Sequence, residues 1–374
     1  MNLIPVCDPF LSPKVHEYVS DALKSKELSG NFGSYIQKFE DQFAGFLGVE
    51  NAICVSSGTT ALHVALSILD LGEGDEVIVQ TQTNMATAFA VSYTGARPVP
   101  VDITTDTYNI DPSIVKSKIS NKTKAIIVVH LFGHPVDMDP IMSIAKEKNL
   151  YLIEDCAQAH GALYKGKKVG SLGDIACFSF YANKILSTGE GGMVVTNDSE
   201  LAKKARKVSS LSYGPANNRF MHEKIGFNYR MPNLTAAIGC AQLEKIEEII
   251  EKKRNISKFY SNNLSNIKQL QLPVEKDYAF NVFWMYHIVF KSNATGKRNF
   301  LLEKLKAKGV DTRNSFVPLN QQNVYIEMGI VKPNDCPNAN FVGENGFYLP
   351  SGPNIDNKDL EYVVNSLKSV LLLL

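Results

Sequence analysis

Short apolar runs alternate with amphipathic stretches over residues 48–196 of this 374-residue chain. Most of the short runs are continuously apolar, which is typical of strands that are covered on both faces. The pattern therefore predicts an α/β protein with a mostly parallel sheet and helices on each side. The predicted strands are residues 52–56, 76–80, 98–102, 125–130, 151–154, 175–180 and 192–196. The predicted helices between them are residues 60–69, 86–93, 112–119 and 140–148.

A different arrangement is predicted for the rest of the chain. Spaced apolar residues with a strongly charged end predict one long helix over residues 233–254, which would lead out of the core. The chain exceeds the usual size of a single core, so we expect a large domain over 13–250 and a smaller α+β domain over 251–374, with segment 1–12 packed nearby. The smaller domain is expected to contain a strand at 284–290 and helices at 298–308 and 358–371.

Composition and charge narrow the class of protein. The net charge is +1, from 39 basic and 38 acidic residues, which gives no reason to expect a nucleic-acid partner or a polybasic membrane anchor. The start MNLIPVCDPF lacks the features of a signal peptide, and no run approaches the ~20 apolar residues of a membrane span. The six cysteines are scattered and form no Cys-x-x-Cys pair. We therefore expect reduced thiols in a cytoplasmic protein, without disulfides or a metal site.

The first segment with candidate chemistry is Ser56-Ser57-Gly58-Thr59-Thr60, which follows a predicted strand and opens a predicted helix. Such a junction offers free backbone N–H groups, hydroxyls and the positive end of a helix to a phosphate group. Serine and threonine are equally typical of an ordinary helix N-cap. The segment alone therefore does not decide between a phosphate site and a simple cap.

The second segment is the strand at 151–154, which delivers Asp155 to the carboxyl edge of the sheet. Ligands bind at that edge in open α/β folds. A buried carboxylate needs a positive partner, and the protonated pyridine nitrogen of a cofactor would supply one. Taken alone, an aspartate in this place is somewhat more typical of a helix cap.

The third segment places Lys184 after the strand at 175–180 and shortly before the run Thr188-Gly-Glu-Gly-Gly192. A lysine that forms a Schiff base needs a pKa depressed by burial or by a neighbouring cation. Surface exposure is by far the commoner fate of a lysine. Ser179, five positions earlier, would either bind phosphate or simply pack.

The order of the three segments is more informative than any one of them. A phosphate-binding helix start, then a strand-end aspartate, then a lysine near glycines is the ordered set of an enzyme that depends on pyridoxal 5′-phosphate (PLP). The runs SSGTTALHVAL, IEDCAQAHGA, DIACFSFYANKILSTGEGGMV and IGFNYRMPNLTAAIGCAQL also resemble the DegT/DnrJ/EryC1/StrS family of nucleotide-sugar aminotransferases. The resemblance extends over nearly the whole chain and implies the aspartate-aminotransferase fold, which is PLP fold type I.

The resemblance implies a role for each matching residue. Lys184 would bind the cofactor covalently and later move a proton, and Asp155 would pair with the pyridine nitrogen. His160 would assist near Asp155 or merely pack, and Gln158 would lie beside the ring. The phosphate would be held by Gly58, Thr59, Ser179 and, from the neighbouring subunit, Asn228. The family's active site would therefore require a homodimer.

Two positions depart from the family pattern. Family members usually place an aromatic residue where Asn84 stands, and an amide offers the cofactor ring little stacking area. The family often has a histidine near the sugar where Asn320 stands. We therefore expect an altered cofactor wall and an altered substrate wall.

Within the family, the runs YIQKFE, HLFGHPVDMD and IGFNYRM are similar to those of members that aminate C4 of GDP-4-keto-6-deoxymannose. This implies transfer of an amino group from L-glutamate, by way of pyridoxamine 5′-phosphate, to a nucleotide-linked 4-keto-6-deoxyhexose. Such amino sugars belong to surface polysaccharides such as the O-antigen of lipopolysaccharide. The alternatives are C4 or C3 amination of a UDP- or dTDP-linked sugar, a sugar dehydratase that uses pyridoxamine 5′-phosphate, and a non-catalytic regulator. A dehydratase would replace Lys184, and a regulator would lose Asp155 or Lys184.

Overall fold

The computed structural model describes residues 3–30, 32–222 and 224–374. The α-helices in these ranges are α1 (Lys14–Ser25), α2 (Ser34–Leu47), α3 (Gly58–Ser67), α4 (Ala86–Tyr93), α5 (Pro112–Lys118), α6 (Met138–Lys148), α7 (Ser199–Ser209), α8 (Asn233–Leu243), α9 (Ile246–Leu264), α10 (Thr295–Ala307), α11 (Asn323–Glu327), α12 (Pro337–Asn345) and α13 (Asn357–Leu371). The β-strands are β1 (Asn51–Val55), β2 (Glu76–Gln80), β3 (Arg97–Val101), β4 (Thr123–Val129), β5 (Tyr151–Asp155), β6 (Leu163–Tyr164), β7 (Lys167–Lys168), β8 (Ile175–Ser179), β9 (Gly192–Thr196), β10 (Leu270–Gln271), β11 (Ala279–Phe280), β12 (Tyr286–Phe290), β13 (Arg313–Asn314) and β14 (Gly346–Leu349).

The central layer is a seven-stranded sheet with the strand order β1-β9-β8-β5-β4-β2-β3. Six of these strands run in the same direction, and β9 runs antiparallel to its neighbours β1 and β8. Each strand coincides with one that the sequence predicts, to within about two residues at either end. The predicted α/β class with a mostly parallel sheet is therefore confirmed.

Both faces of this sheet are covered, as continuously apolar strands require. Within β2, Ile78 belongs to the core that includes Phe39 and Phe43 of α2, whereas Val77 and Val79 belong to the core on the other face. Helix α8 packs with α2 on the first face, and α3, α4 and α7 cover the second. The edge where the six strands end is left for loops.

The prediction of a single long helix over residues 233–254 is wrong. The chain forms two helices, α8 and α9, with a break at Glu244 and Lys245. Lys14 Nζ and the Tyr18 hydroxyl, both on α1, donate to the Glu244 carboxylate at 2.7 and 2.6 Å. Lys245 has a φ of −114°, which lies outside the helical range. The apolar periodicity continues across the break and therefore could not reveal it.

Helix α9 joins two cores. Its first half contributes Ile249 and Ile250 to a core of the central sheet, and its second half contributes Tyr260 and Leu264 to the core of a smaller sheet. The sequence also predicts that the charged end of this helix is exposed to solvent. That prediction is wrong at Lys253, whose side chain is only 3% exposed. A domain boundary drawn at residue 250 falls inside α9.

The smaller sheet has the order β10-β12-β14-β13, is antiparallel throughout and packs with α10 and α13. The N-terminal segment lies beside this layer. The Ile4 N–H donates to the Gly309 carbonyl at 2.8 Å, and the Ser351 N–H donates to the Val6 carbonyl at 2.9 Å. A third, three-stranded sheet joins β11 to the hairpin of β6 and β7.

All six cysteines are free thiols, and all except Cys7 are buried. Burial raises the pKa of Cys54, Cys156 and Cys177 well above the ordinary value, so these thiols are poor nucleophiles. Among the described residues, no helix combines the length and the apolar character that crossing a bilayer demands.

A fully buried hydrogen-bonded pair lies close to the sheet edge, where His130 Nε2 is 3.1 Å from Glu154 Oε2. The Val136 N–H donates to His130 Nδ1, which leaves Nε2 to carry the proton toward Glu154. Glu154 also accepts three backbone N–H groups from residues 170–173 at 2.7–2.9 Å. Burial works to raise the pKa of Glu154, but His130 and the amides more than offset it, so the pKa is lower than usual.

Replacing Glu154 by alanine should lower the free energy of unfolding by about 3–5 kcal/mol, because buried donors would lose their acceptor. Urea unfolding followed by circular dichroism measures the change. The control is Glu147→Ala, which removes an exposed pair with Lys116 and should leave the urea midpoint nearly unchanged. Since the folded pKa of Glu154 lies below the unfolded value, its contribution is present at neutral pH and is lost as pH falls through the folded pKa. Equal urea midpoints for Glu154→Ala and the wild type would contradict this account.

Candidate active site

A cavity of about 700 Å³ opens at the edge where the six strands of common direction end. Ligands bind at this edge of open α/β sheets. The wall combines loops after β1, β2, β5 and β8 with the N-terminal segment and with residues around β12 and β13. The predicted site residues that line it are Gly58, Thr59, Asn84, Asp155, Gln158, Ser179 and Lys184.

The start of α3 forms one part of the wall. The Ser57 hydroxyl accepts the Thr60 N–H at 3.1 Å and so caps the helix. The N–H groups of Gly58 and Thr59 precede the first intrahelical bonds and are free for an anion. Gly58 lies so close to Ser179 that a Cβ added at position 58 would be 2.6 Å from the Ser179 Cβ. Cap and phosphate site are therefore compatible, since different residues serve each purpose.

Asp155 is the last residue of β5 and is 3% exposed. The Thr87 hydroxyl donates to Oδ2 at 2.8 Å, and the Ala157 N–H donates to Oδ1 at 3.1 Å. Burial raises the pKa of Asp155, although these two donors and the charge of Lys184 oppose the shift. A buried carboxylate in this state is stabilised most by a cationic N–H donor, which is what a protonated pyridine ring offers.

Lys184 lies in the turn that follows β8, where its N–H donates to the Tyr181 carbonyl at 2.8 Å. Burial lowers the pKa of its ammonium group to about 8, against the opposing effect of Asp155. Near neutral pH the amine is therefore neutral, and able to attack a carbonyl carbon, more often than an ordinary lysine. The structure thus gives Lys184 the depressed pKa that a Schiff-base lysine requires.

These groups together fit PLP. Free amides at a helix start suit a dianionic phosphate, the buried Asp155 carboxylate suits a ring nitrogen, and the Lys184 amine suits an aldehyde. All three lie on the wall of one cavity. A model of the DegT/DnrJ/EryC1/StrS aminotransferase family matches residues 11–368 of the chain.

The chain belongs to the DegT/DnrJ/EryC1/StrS aminotransferase family. It is similar to GDP-perosamine synthase of Escherichia coli O157:H7, with 43% identity over 369 residues and 98% of each chain covered. It is also similar to GDP-perosamine synthase of Caulobacter vibrioides, with 39% identity over 370 residues, 99% of this chain and 98% of the relative. The crystal structure of DesV from S. venezuelae matches with a TM-score of 0.91 at 31% identity, covering 99% of this chain and 98% of that one.

The comparisons confirm the predicted fold, enzyme class and cofactor. The protein is a sugar aminotransferase of the DegT/DnrJ/EryC1/StrS family, it has PLP fold type I, and it depends on PLP and pyridoxamine 5′-phosphate.

Two predicted cofactor residues are fixed by backbone contacts. The Phe132 N–H donates to Gln158 Oε1 at 2.8 Å, which leaves the amide nitrogen of Gln158 as the donor for a ligand. The Ala86 N–H donates to Asn84 Oδ1 at 2.9 Å, so Asn84 serves the turn before α4 as well as the cavity wall. Both side chains line the cavity.

Two predicted site residues lie outside this wall. His160 is 0% exposed and packs against Phe178 and Phe180. Burial and the charge of Lys184 lower the pKa of His160 to about 3, so it stays neutral at working pH. Its catalytic role stays a prediction, and in the structure the ring lies behind the cavity wall. Asn228 is exposed and pairs through the backbone with Ser210, away from the chain's own cavity.

The altered substrate wall expected at Asn320 is not found. Asn320 is fully buried and its amide donates to the carbonyl of Pro333 and to Asn340 Oδ1, at 2.6 and 2.9 Å. Its oxygen accepts the Thr81 hydroxyl at 3.1 Å. The side chain therefore holds loops together and does not line the cavity.

The sequence reasoning missed several residues of the wall. Thr87, which bonds Asp155, carries no signal of its own beyond its place near Asn84. Arg313 brings a guanidinium group to the wall, and its partner there is Asp311 at 2.9 Å. Trp284 could have been singled out, because it is the only tryptophan in the chain.

Proposed function

We propose that this aminotransferase moves the amino group of L-glutamate to C4 of a nucleotide-linked 4-keto-6-deoxyhexose, with GDP as the nucleotide. The observation that carries the proposal is the 43% identity with a GDP-perosamine synthase over 98% of both chains. A cavity of about 700 Å³ is in the range of small-molecule sites and is large enough for a cofactor beside a sugar. The product would serve cytoplasmic synthesis of an amino sugar for a surface polysaccharide such as O-antigen.

In this proposal Lys184 works through one atom in two ways. Its Nζ would hold the cofactor covalently, and the same atom, once free, would accept and return the proton at the reacting carbon of the substrate. A pKa of about 8 suits both tasks, because the amine both loses and regains a proton readily near neutral pH.

The remaining residues bind and orient. Gly58, Thr59 and Ser179 hold the phosphate, while Gln158 and Asn84 border the ring. When bound, PLP supplies an electron sink for negative charge at the reacting carbon, and the Asp155 carboxylate keeps its ring nitrogen protonated. A dehydratase or a regulator on the same fold is less well supported, because Lys184 and Asp155 are both present in one cavity.

A substrate panel tests the proposal. Purified protein is incubated with L-glutamate and GDP-, UDP- or dTDP-linked 4-keto-6-deoxy sugars, and 2-oxoglutarate formation is measured. We expect kcat/KM for the GDP sugar to exceed the others at least tenfold, with the new amine at C4 by NMR. A preference for a UDP or dTDP sugar, or amination at C3, would overturn the sugar assignment. Absence of a Schiff-base absorbance band in protein separated from added PLP would support the regulator instead.

We also propose that the enzyme is a homodimer in which Asn228 reaches the partner's phosphate site. The side chain is exposed and is not among the residues that line the chain's own cavity. Nearby Phe220, Met221 and Ile225 are 79%, 63% and 88% exposed, which a partner subunit would cover. An amide from a second subunit adds a phosphate donor without crowding the first.

Mixing two inactive variants should restore activity if the site is shared. A mixed dimer of Lys184→Ala and Asn228→Asp subunits has one site with both lesions and one with neither, so about half of the sites in mixed dimers should work. Activity is measured after subunit exchange that is verified by differently tagged chains. The control mixes Lys184→Ala with Asp155→Asn, which lie in the same wall and should restore nothing. Full activity of Asn228→Asp alone, or no recovery after verified exchange, would exclude the shared site.

A further inference from the structure

Trp284 meets Lys184 at two points. The Lys184 Nζ lies 4.1 Å from the centre of the indole ring, and the indole Nε1–H donates to the Asn183 carbonyl at 2.8 Å. One side chain therefore contacts both the amine and the peptide that carries it. Trp284 is 4% exposed and stands just before β12, so it reaches Lys184 from the layer of the smaller sheet.

The indole is itself held in place. The Phe132 ring lies 10° from parallel with it, at 6.4 Å between ring centres. Gly133 has a φ of +98°, and a Cβ there would lie 2.9 Å from the backbone nitrogens of Phe283 and Trp284. The Val282 N–H closes this contact by donating to the Gly133 carbonyl at 3.2 Å. Only glycine allows the segment before β12 to approach the loop after β4 so closely.

The Asn183 carbonyl is also approached by a second chain segment. The Cys7 Sγ donates to it at 3.7 Å, a weak contact from the N-terminal segment. Three distant parts of the chain thus meet at the peptide between Asn183 and Lys184. Such convergence fixes the direction of the lysine side chain, which a turn after a strand would not do alone.

An aromatic ring suits the electrostatic surroundings of the Lys184 ammonium group. Asp155 acts on its ammonium group electrostatically, and buried His160 is neutral. Glu190, Asp311 and Arg313 also line the cavity, and Arg313 is paired with Asp311. An aromatic face attracts a cation without bringing a competing negative charge to the site.

We propose that Trp284 is a positioning residue for Lys184: its N–H fixes the lysine-bearing turn, and its ring holds the free ammonium group while Lys184 is not bound to the cofactor. The proposal rests on Lys184 being the cofactor lysine and is independent of which sugar is aminated. The indole ring and the indole N–H make separable contributions, which different substitutions can test.

The first experiment uses Trp284 as its own reporter, since it is the only tryptophan. We expect the fluorescence of the apoenzyme to change with pH around a midpoint near the Lys184 pKa of about 8. In Lys184→Met, which removes the charge and keeps the chain length, this change should vanish. The same pH profile in both proteins would show that the ring and the amine are not coupled, and would overturn the proposal.

The second experiment separates ring from N–H in the apoenzyme. Competitive acetylation of Lys184 at several pH values, read by peptide mass spectrometry, gives its pKa, and stopped-flow absorbance gives the rate of PLP capture. Trp284→Leu removes ring and donor, so the pKa should fall by about 0.5–1 unit and capture should slow about tenfold. Trp284→Phe keeps a ring, so the pKa should stay within about 0.3 unit while capture slows about threefold.

A matched control is Phe280→Leu, which removes a ring that lies against Arg254 and not against Lys184. It should leave both readouts unchanged. Equal effects of Phe280→Leu and Trp284→Leu, or wild-type values in Trp284→Leu, would overturn the proposal. If Trp284→Leu does not fold, Trp284→Phe still decides, because a wild-type capture rate there excludes the role of the N–H. No sugar is used, so failure of the sugar assignment leaves these results unaffected.

Discussion

Lys184→Ala should lower kcat by at least about 10²–10⁴-fold while the fold stays intact, because both proton transfer and covalent cofactor binding are lost. The half-buried side chain lines the cavity, and desolvation lowers its pKa to about 8. Transamination with L-glutamate and the sugar substrate gives kcat. Borohydride treatment followed by mass spectrometry should lock PLP onto the wild type at Lys184 and leave no label on the variant.

The control for this prediction is a second lysine with a depressed pKa. Burial also lowers the pKa of Lys253 to about 8, but Lys253 donates to the carbonyl of Ser351 and does not line the cavity among the described residues. Lys253→Met should therefore keep the borohydride label at Lys184. Wild-type turnover by Lys184→Ala without added amine would remove Lys184 from the mechanism.

Asp155→Asn should lower kcat about 10²–10³-fold and weaken PLP binding much less. Asparagine keeps the shape and can still bond to Thr87 and Ala157, but it carries no charge to hold a proton on the ring nitrogen. The phosphate contacts at the start of α3 are unchanged. Steady-state rates and a PLP titration followed by absorbance separate the two effects.

Asp102→Asn is the matched control. Asp102 is also a buried aspartate, 6% exposed, and it accepts backbone N–H groups of Ile103, Asn338 and Ala339. Its replacement should lower stability but leave the turnover of each folded molecule unchanged. If Asp155→Asn transaminates at the wild-type rate, its carboxylate is only structural.

The central sheet was predictable because its strands are continuous apolar runs, a property of each segment alone. The break between α8 and α9 was not, because Glu244 is held by Lys14 and Tyr18 on a remote helix. Burial of Lys253 was hidden for the same reason. A charged residue on a helix is read as exposed unless its distant surroundings are known.

In the candidate site, too, residues placed by a local pattern were predictable and residues placed by remote contacts were not. Gly58, Asp155 and Lys184 were predicted because each lies where a strand ends, and strand ends of one direction meet at one edge. His160 shares a motif with Asp155, yet its ring turns into the core. Trp284 was missed because 101 residues separate it from Asn183, and only the packed layers bring them together.

The N-terminal segment links completion of the cavity to parts of the chain that are far apart in sequence. Its residues are synthesised early but bond to residues that are synthesised much later. Ile4 pairs with Val310, and the Val6 carbonyl accepts the Ser351 N–H. Pro5, Val6 and Cys7 also line the cavity. A nascent chain that still lacks its last strands therefore has an open-sided pocket. The cofactor site is therefore complete only when residues 5–7 and the segments at Val310 and Ser351 are packed together.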